Sequence, residues 1–79
     1  MTHEELRERV TIIPDVYGGQ PCIRGTRIPV AVVLDSLAEG LSPQEIIDHY
    51  PSLTVEDIRA AAAYAAELAR ESVWKITAT

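Results

Sequence analysis

A chain of 79 residues is enough for one domain and too short for two, so a single domain over 1–79 is expected. An apolar fraction of 47% argues against disorder, a lone cysteine (Cys22) excludes an internal disulfide, and His3 and His49 stand too far apart for a zinc spacing, so no cofactor or metal is expected. The net charge of −5 opposes strong attraction to nucleic acid, because phosphate contacts need Lys and Arg. No apolar run approaches a membrane span, and the charged opening MTHEELRERV lacks the apolar core of a signal peptide. With the unpaired cysteine, this points to a reducing cytoplasm and no membrane partner. A domain this small is marginal alone, so a homodimer or an obligate partner is expected.

In chain order, residues 1–8 read as one turn of helix or a frayed tail. Val10-Thr11-Ile12-Ile13 has the β-branched content of a short strand, which Pro14 ends. Asp15 to Gly19 reads as a loop, with Gly18-Gly19 permitting positive φ. Pro21 to Arg24 is a second extended run, Gly25-Thr26 a turn, and Ile28 is extended because a proline follows it. Residues 1–28 thus form a β-rich head.

Residues 29–79 read as a helical body. Pro29 suits the first position of a helix, and Val30, Val33, Leu34 and Leu37 fall on one helical face. Gly40 is a natural residue just past a helix end. Ser42 and Glu45 predict a capping box, Leu41 and Ile46 a hydrophobic staple, and Pro43 a first helical position. That helix must stop near Tyr50, because Pro51 follows. Leu53-Thr54-Val55-Glu56-Asp57-Ile58 repeats the same grammar more weakly. The alanine-rich helix after it places Ile58, Ala61, Ala62, Ala65, Leu68 and Ala69 on its inner stripe. It runs on towards Trp74 and Ile76 or frays before them. The expected fold is mainly α: a tri-helical, homeodomain-like helix-turn-helix with a small N-terminal β element.

The charges are unevenly placed. Arg7, Arg9, Arg24 and Arg27 lie in the first third, and no Lys or Arg stands between Ile28 and Ile58, where Asp35, Glu39, Glu45, Asp48, Glu56 and Asp57 are acidic. Arg24 and Arg27 flank a glycine turn. They fit either carboxylate or phosphate groups of a partner, or internal pairing with Asp15, Asp35 or Glu39. The long helix opens outward with Glu56, Asp57 and Arg59. Its acids would repel phosphate, and only Arg59 suits a major groove. The alanine run Ala60 to Ala63 serves either as a close-packing dimer surface or as plain helix propensity. Trp74 and Ile76 either fold back onto the core or dock a partner. Cys22 has no base placed to activate it and reads as a buried, inert residue. No paired carboxylates, phosphate loop or metal cluster appears in the sequence, so a non-enzyme is expected.

The stretch Gly19-Gln20-Pro21-Cys22-Ile23-Arg24-Gly25-Thr26-Arg27-Ile28-Pro29-Val30 resembles the signature of the bacterial family called domain of unknown function 433. Glu39 to Ser42, Glu45 to Ile47, Tyr50 to Thr54 and Glu56 to Ile58 continue the likeness, which covers Ile12 to Ala65. Gln20 stands where a lysine is common, and Cys22 where an aliphatic residue is more usual. The resemblance implies a dimeric helix-turn-helix protein of the VapB antitoxin type, paired with a PIN-like ribonuclease. The expected function is therefore an antitoxin-like half of a toxin–antitoxin pair that neutralises a PIN-like toxin protein and represses its own promoter DNA. The alternative is a stand-alone helix-turn-helix DNA-binding regulator. Arg7, Arg9, Arg24, Arg27, Arg59 and Trp74 are the candidate partner- or nucleic-acid-binding residues.

Overall fold

Local signals decide where each element begins and ends. The computed structural model describes residues 2–15 and 17–71. The expected N-terminal turn is a short helix, α1 (His3–Arg7), capped by Thr2, whose hydroxyl accepts from the Glu5 N–H. Strands β1 (Val10–Ile12) and β2 (Pro21–Ile23) pair antiparallel, with Thr11 opposite Cys22. Between them a 3-10 turn at Tyr17–Gly19 uses the predicted positive φ of Gly18 and Gly19. The body is α2 (Val30–Ala38), α3 (Pro43–His49) and α4 (Val55–Glu71). The fold is mainly α with a two-stranded sheet at its N-terminal end, as expected.

The turn between α2 and α3 is fixed from both sides. Gly40 has φ +95°, and the Leu41 N–H donates to Ser36 C=O while the Gly40 N–H donates to Leu37 C=O. These two bonds close a Schellman end. Ser42 then opens α3 with a complete capping box: its hydroxyl accepts from Glu45 N–H at 3.2 Å, and its own N–H donates to the Glu45 carboxylate at 2.9 Å. Pro43 follows as the first helical residue.

The core gathers Ile23, Val30, Val33, Ile46, Leu53, Ile58 and Ala61, with Leu34, Leu37 and Leu41 partly buried against it. Cys22 is buried on β2, as predicted. Two details of the reading need correction. Pro29 is the N-cap of α2, in extended conformation, because the Ile23 N–H bonds Ile28 C=O and Cys22 bridges Pro29, holding that segment against β2. On α4, Ala60 is fully buried while Ala62 and Ala69 are exposed and Leu68 is half-exposed. The buried arc is rotated because α4 packs not only on α2 and α3 but also on α1 and β1. Residues beyond Glu71, including Trp74 and Ile76, lie outside the described residues.

The backbone and side-chain hydrogen bonds of Ser42 hold the Glu45 carboxyl below its ordinary pKa, aided by His49. A depressed pKa contributes stability above the unfolded value and loses it as pH falls through the folded value. Wild-type protein should therefore be more stable than Glu45→Gln at about pH 7, and the gap should narrow as pH falls through and below the ordinary carboxylate range, as read by urea midpoints.

Candidate binding surface

The four head arginines have different neighbours, and the difference separates structural from available cations. Arg9 reaches across to α4, where its guanidinium donates to Asp57 Oδ1 at 3.1 Å. Asp57 is 7% exposed, so the sequence expectation that it faces outward is corrected. Its other oxygen, Oδ2, accepts from the Thr54 N–H at 3.0 Å, and its own N–H donates to the Thr54 hydroxyl at 3.2 Å. The predicted α4 start is thus a capping box whose carboxylate has a second partner 48 residues away in sequence. Arg7, more exposed, lies 3.4 Å from Glu67 on the same helix. Both contacts clamp the head onto α4. A pair as exposed as Arg7–Glu67 contributes little, whereas the part-buried Arg9–Asp57 pair contributes more.

Arg24 and Arg27 sit on the turn that joins β2 to α2. The turn is closed by Thr26, whose N–H and hydroxyl both donate to Ile23 C=O, at 3.0 and 2.8 Å, and whose hydroxyl accepts from Ile28 N–H at 3.1 Å. Gly25 takes φ +81° at its tip. The Arg24 side chain donates from Nε to the backbone carbonyl of Glu8. Arg27 is exposed, and among the described residues its side chain has no hydrogen bond or ion pair. Neither arginine pairs with Asp15, Asp35 or Glu39, the internal partners that the sequence offered. Arg59 is likewise exposed, on α4. Trp74 lies outside the described residues.

The structure brings Arg9 and Arg24 together in an open groove of about 550 Å³, lined also by Glu5, Glu8 and Asp57. With three carboxylates against two guanidiniums, this groove repels a phosphate backbone. A second groove, about 370 Å³, runs along α2 and α3 and is lined by Asp35, Glu39, His49 and Tyr50 with Val32, Ser36 and Leu41. It too is acidic. Among the described residues no group of three or more His, Cys, Asp or Glu is placed to hold a metal ion, and no helix is long and apolar enough to cross a membrane. Sequence reasoning missed the roles of Glu8, Thr26 and Glu67. Only Thr26, after a glycine in a predicted turn, carried a local signal.

Fold and site together define a small helix-turn-helix protein with a β ribbon pinned by arginine to its last helix. Residues 10–65 match the family described as "Protein of unknown function (DUF433)". The chain belongs to that family. The crystal structure of a DUF433 member protein from Anabaena variabilis ATCC 29413 superimposes with a TM-score of 0.74 at 37% identity, covering 86% of this chain and 67% of that one. The uncharacterized protein y4eO of Sinorhizobium fredii (strain NBRC 101917 / NGR234) is 49% identical over 59 residues, 75% of this chain. This chain spans only 27% of that relative's length.

The clamp makes a quantitative expectation. In a double-mutant cycle, Arg9→Ala and Asp57→Ala should each lower stability, with Asp57→Ala the costlier because it also removes the α4 cap, worth about 1 kcal/mol. Their coupling should fall at about 0.5–3 kcal/mol, measured by urea unfolding, while Arg7→Ala should cost less than either.

Proposed function

We propose that this protein is an antitoxin-like partner of a PIN-like ribonuclease, and that the Arg24–Arg27 turn is the element it presents to the toxin. The observation that carries this reading is Arg27: an exposed guanidinium without a hydrogen-bond or ion-pair partner among the described residues, on a turn fixed by three bonds through Thr26. Holding a long cation on a rigid turn reduces the entropy lost on binding. A guanidinium fork matches a carboxylate in a bidentate way, and the metal site of a PIN-like nuclease is built of carboxylates. The acidic helical body fits the same reading, because it disfavours nucleic acid and leaves a protein surface as the better partner. The likeness to the DUF433 family is the remaining support.

The test is co-expression with the product of the adjacent open reading frame, followed by affinity capture and a growth assay. The expected result is a stable complex and restored growth. Arg27→Glu should weaken capture by about tenfold or more, because it sets like charges together, and should leave the circular dichroism spectrum unchanged. No complex and no rescue of growth with wild-type protein would defeat the proposal.

The helix-turn-helix order of α2, α3 and α4, with Arg59 exposed on the last helix, favours a second reading as a promoter-binding regulator. Its measure is a band shift on the protein's own upstream DNA. A specific complex that weakens steeply with salt supports it, and no shift at low salt removes it.

A further inference from the structure

Arg24 and Arg27 share one turn but not one environment. Two neighbouring carbonyls hold Arg24: its side-chain Nε donates to Glu8 C=O, and its backbone N–H donates to Arg9 C=O at 2.7 Å. Glu8 is the C-cap of α1, and the Arg9 guanidinium donates to Asp57 on α4 at 3.1 Å. The turn is thereby tied to the segment that the clamp fixes to the last helix. Arg24 also lines the open groove it shares with Arg9 and three acidic residues, Glu5, Glu8 and Asp57. A partner's carboxylate brought there meets like charges, and the Nε edge of the Arg24 fork is already taken. Arg27 is outside that lining and, among the described residues, makes no hydrogen bond or ion pair.

We infer that Arg27, not Arg24, meets the partner's carboxylates, and that Arg24 is a positioning residue that sets the aim of Arg27 through its bond to Glu8. This rests on the toxin-binding reading and divides the work within that same site. The three bonds through Thr26 all lie inside the turn, between Ile23 and Ile28, so they fix its shape and not its direction. The Arg24–Glu8 bond supplies an anchor outside the turn, 16 residues away in sequence. Fixing a contact group in its bound direction lowers the entropy lost on association. What this role needs from residue 24 is a donor at Nε rather than a charge. A glutamine carries its Nε2 as many bonds from the backbone as arginine carries Nε, and so can make the same bond without charge.

The experiment measures the affinity of the full chain and its variants for the product of the adjacent open reading frame, with circular dichroism as the check on folding. Arg27→Ala should raise the dissociation constant by about tenfold or more. Arg24→Ala should raise it by about threefold or more, but by less than about twofold when Arg27→Ala is already present, because a residue that acts through another is not additive with it. Arg24→Gln should stay within about twofold of wild type, since it keeps the donor. Should Arg24→Ala lose its helical spectrum, Arg24→Met takes its place, keeping the apolar stem without donor or charge. Arg24→Gln binding as weakly as Arg24→Ala, or an Arg24→Ala loss that is equal in both backgrounds, overturns the inference while the toxin-binding reading stands. Wild-type protein that binds nothing defeats that reading and this inference with it.

Discussion

Asp57 is the point at which the two parts of the molecule are joined. One of its carboxylate oxygens ends the exposed backbone of α4 by accepting the Thr54 N–H, and the other holds the Arg9 guanidinium. The head contributes only two three-residue strands and a five-residue helix, too little to fold by itself. It is stable because α4 gives it a surface, and Asp57 fixes how it lies there. The carboxylate can afford burial because it is paired and hydrogen-bonded at both oxygens. No buried side-chain polar atom among the described residues lacks a partner.

That junction sets the charge distribution the rest of the surface inherits. The head has as many acids as arginines: Glu4, Glu5, Glu8 and Asp15 against Arg7, Arg9, Arg24 and Arg27. Two of the arginines are turned onto α4, and a third, Arg24, ties the turn back to α1 through the Glu8 carbonyl. The head is therefore not a basic platform, despite its share of the cations. Among the described residues, Arg27 is the head arginine whose side chain makes no hydrogen bond or ion pair, and it stands exposed on the turn between β2 and α2.

Much of the fold was legible because its signals are local. Ser42 with Glu45, Thr54 with Asp57, Gly40 and Pro43 each act within a few residues, and every one of them stands where the reading put it. The first strand followed from a β-branched run that Pro14 ends and the second from an extended run before Gly25, while their pairing is seen only in the structure. What the sequence concealed was non-local. Arg9 and Asp57 are far apart in the chain, and nothing in their spacing announces the contact. The same blindness misplaced the α4 stripe. A helix read as packing on one side is in fact gripped on two, and the second grip comes from the head. The candidate site was legible in part: the turn was foreseen, but which of its arginines is occupied depends on the carbonyl of Glu8.

The packing of α4 bears on how a helix-turn-helix outline should be interpreted. A helix that reads DNA needs its early face free and basic. Here the early face carries Glu56 and the buried Asp57, and Asp57 is committed to the clamp. Freeing that face would mean giving up both the cap of α4 and the anchor of the head. The constraint leaves Arg59 as the exposed cation of the first turns of α4.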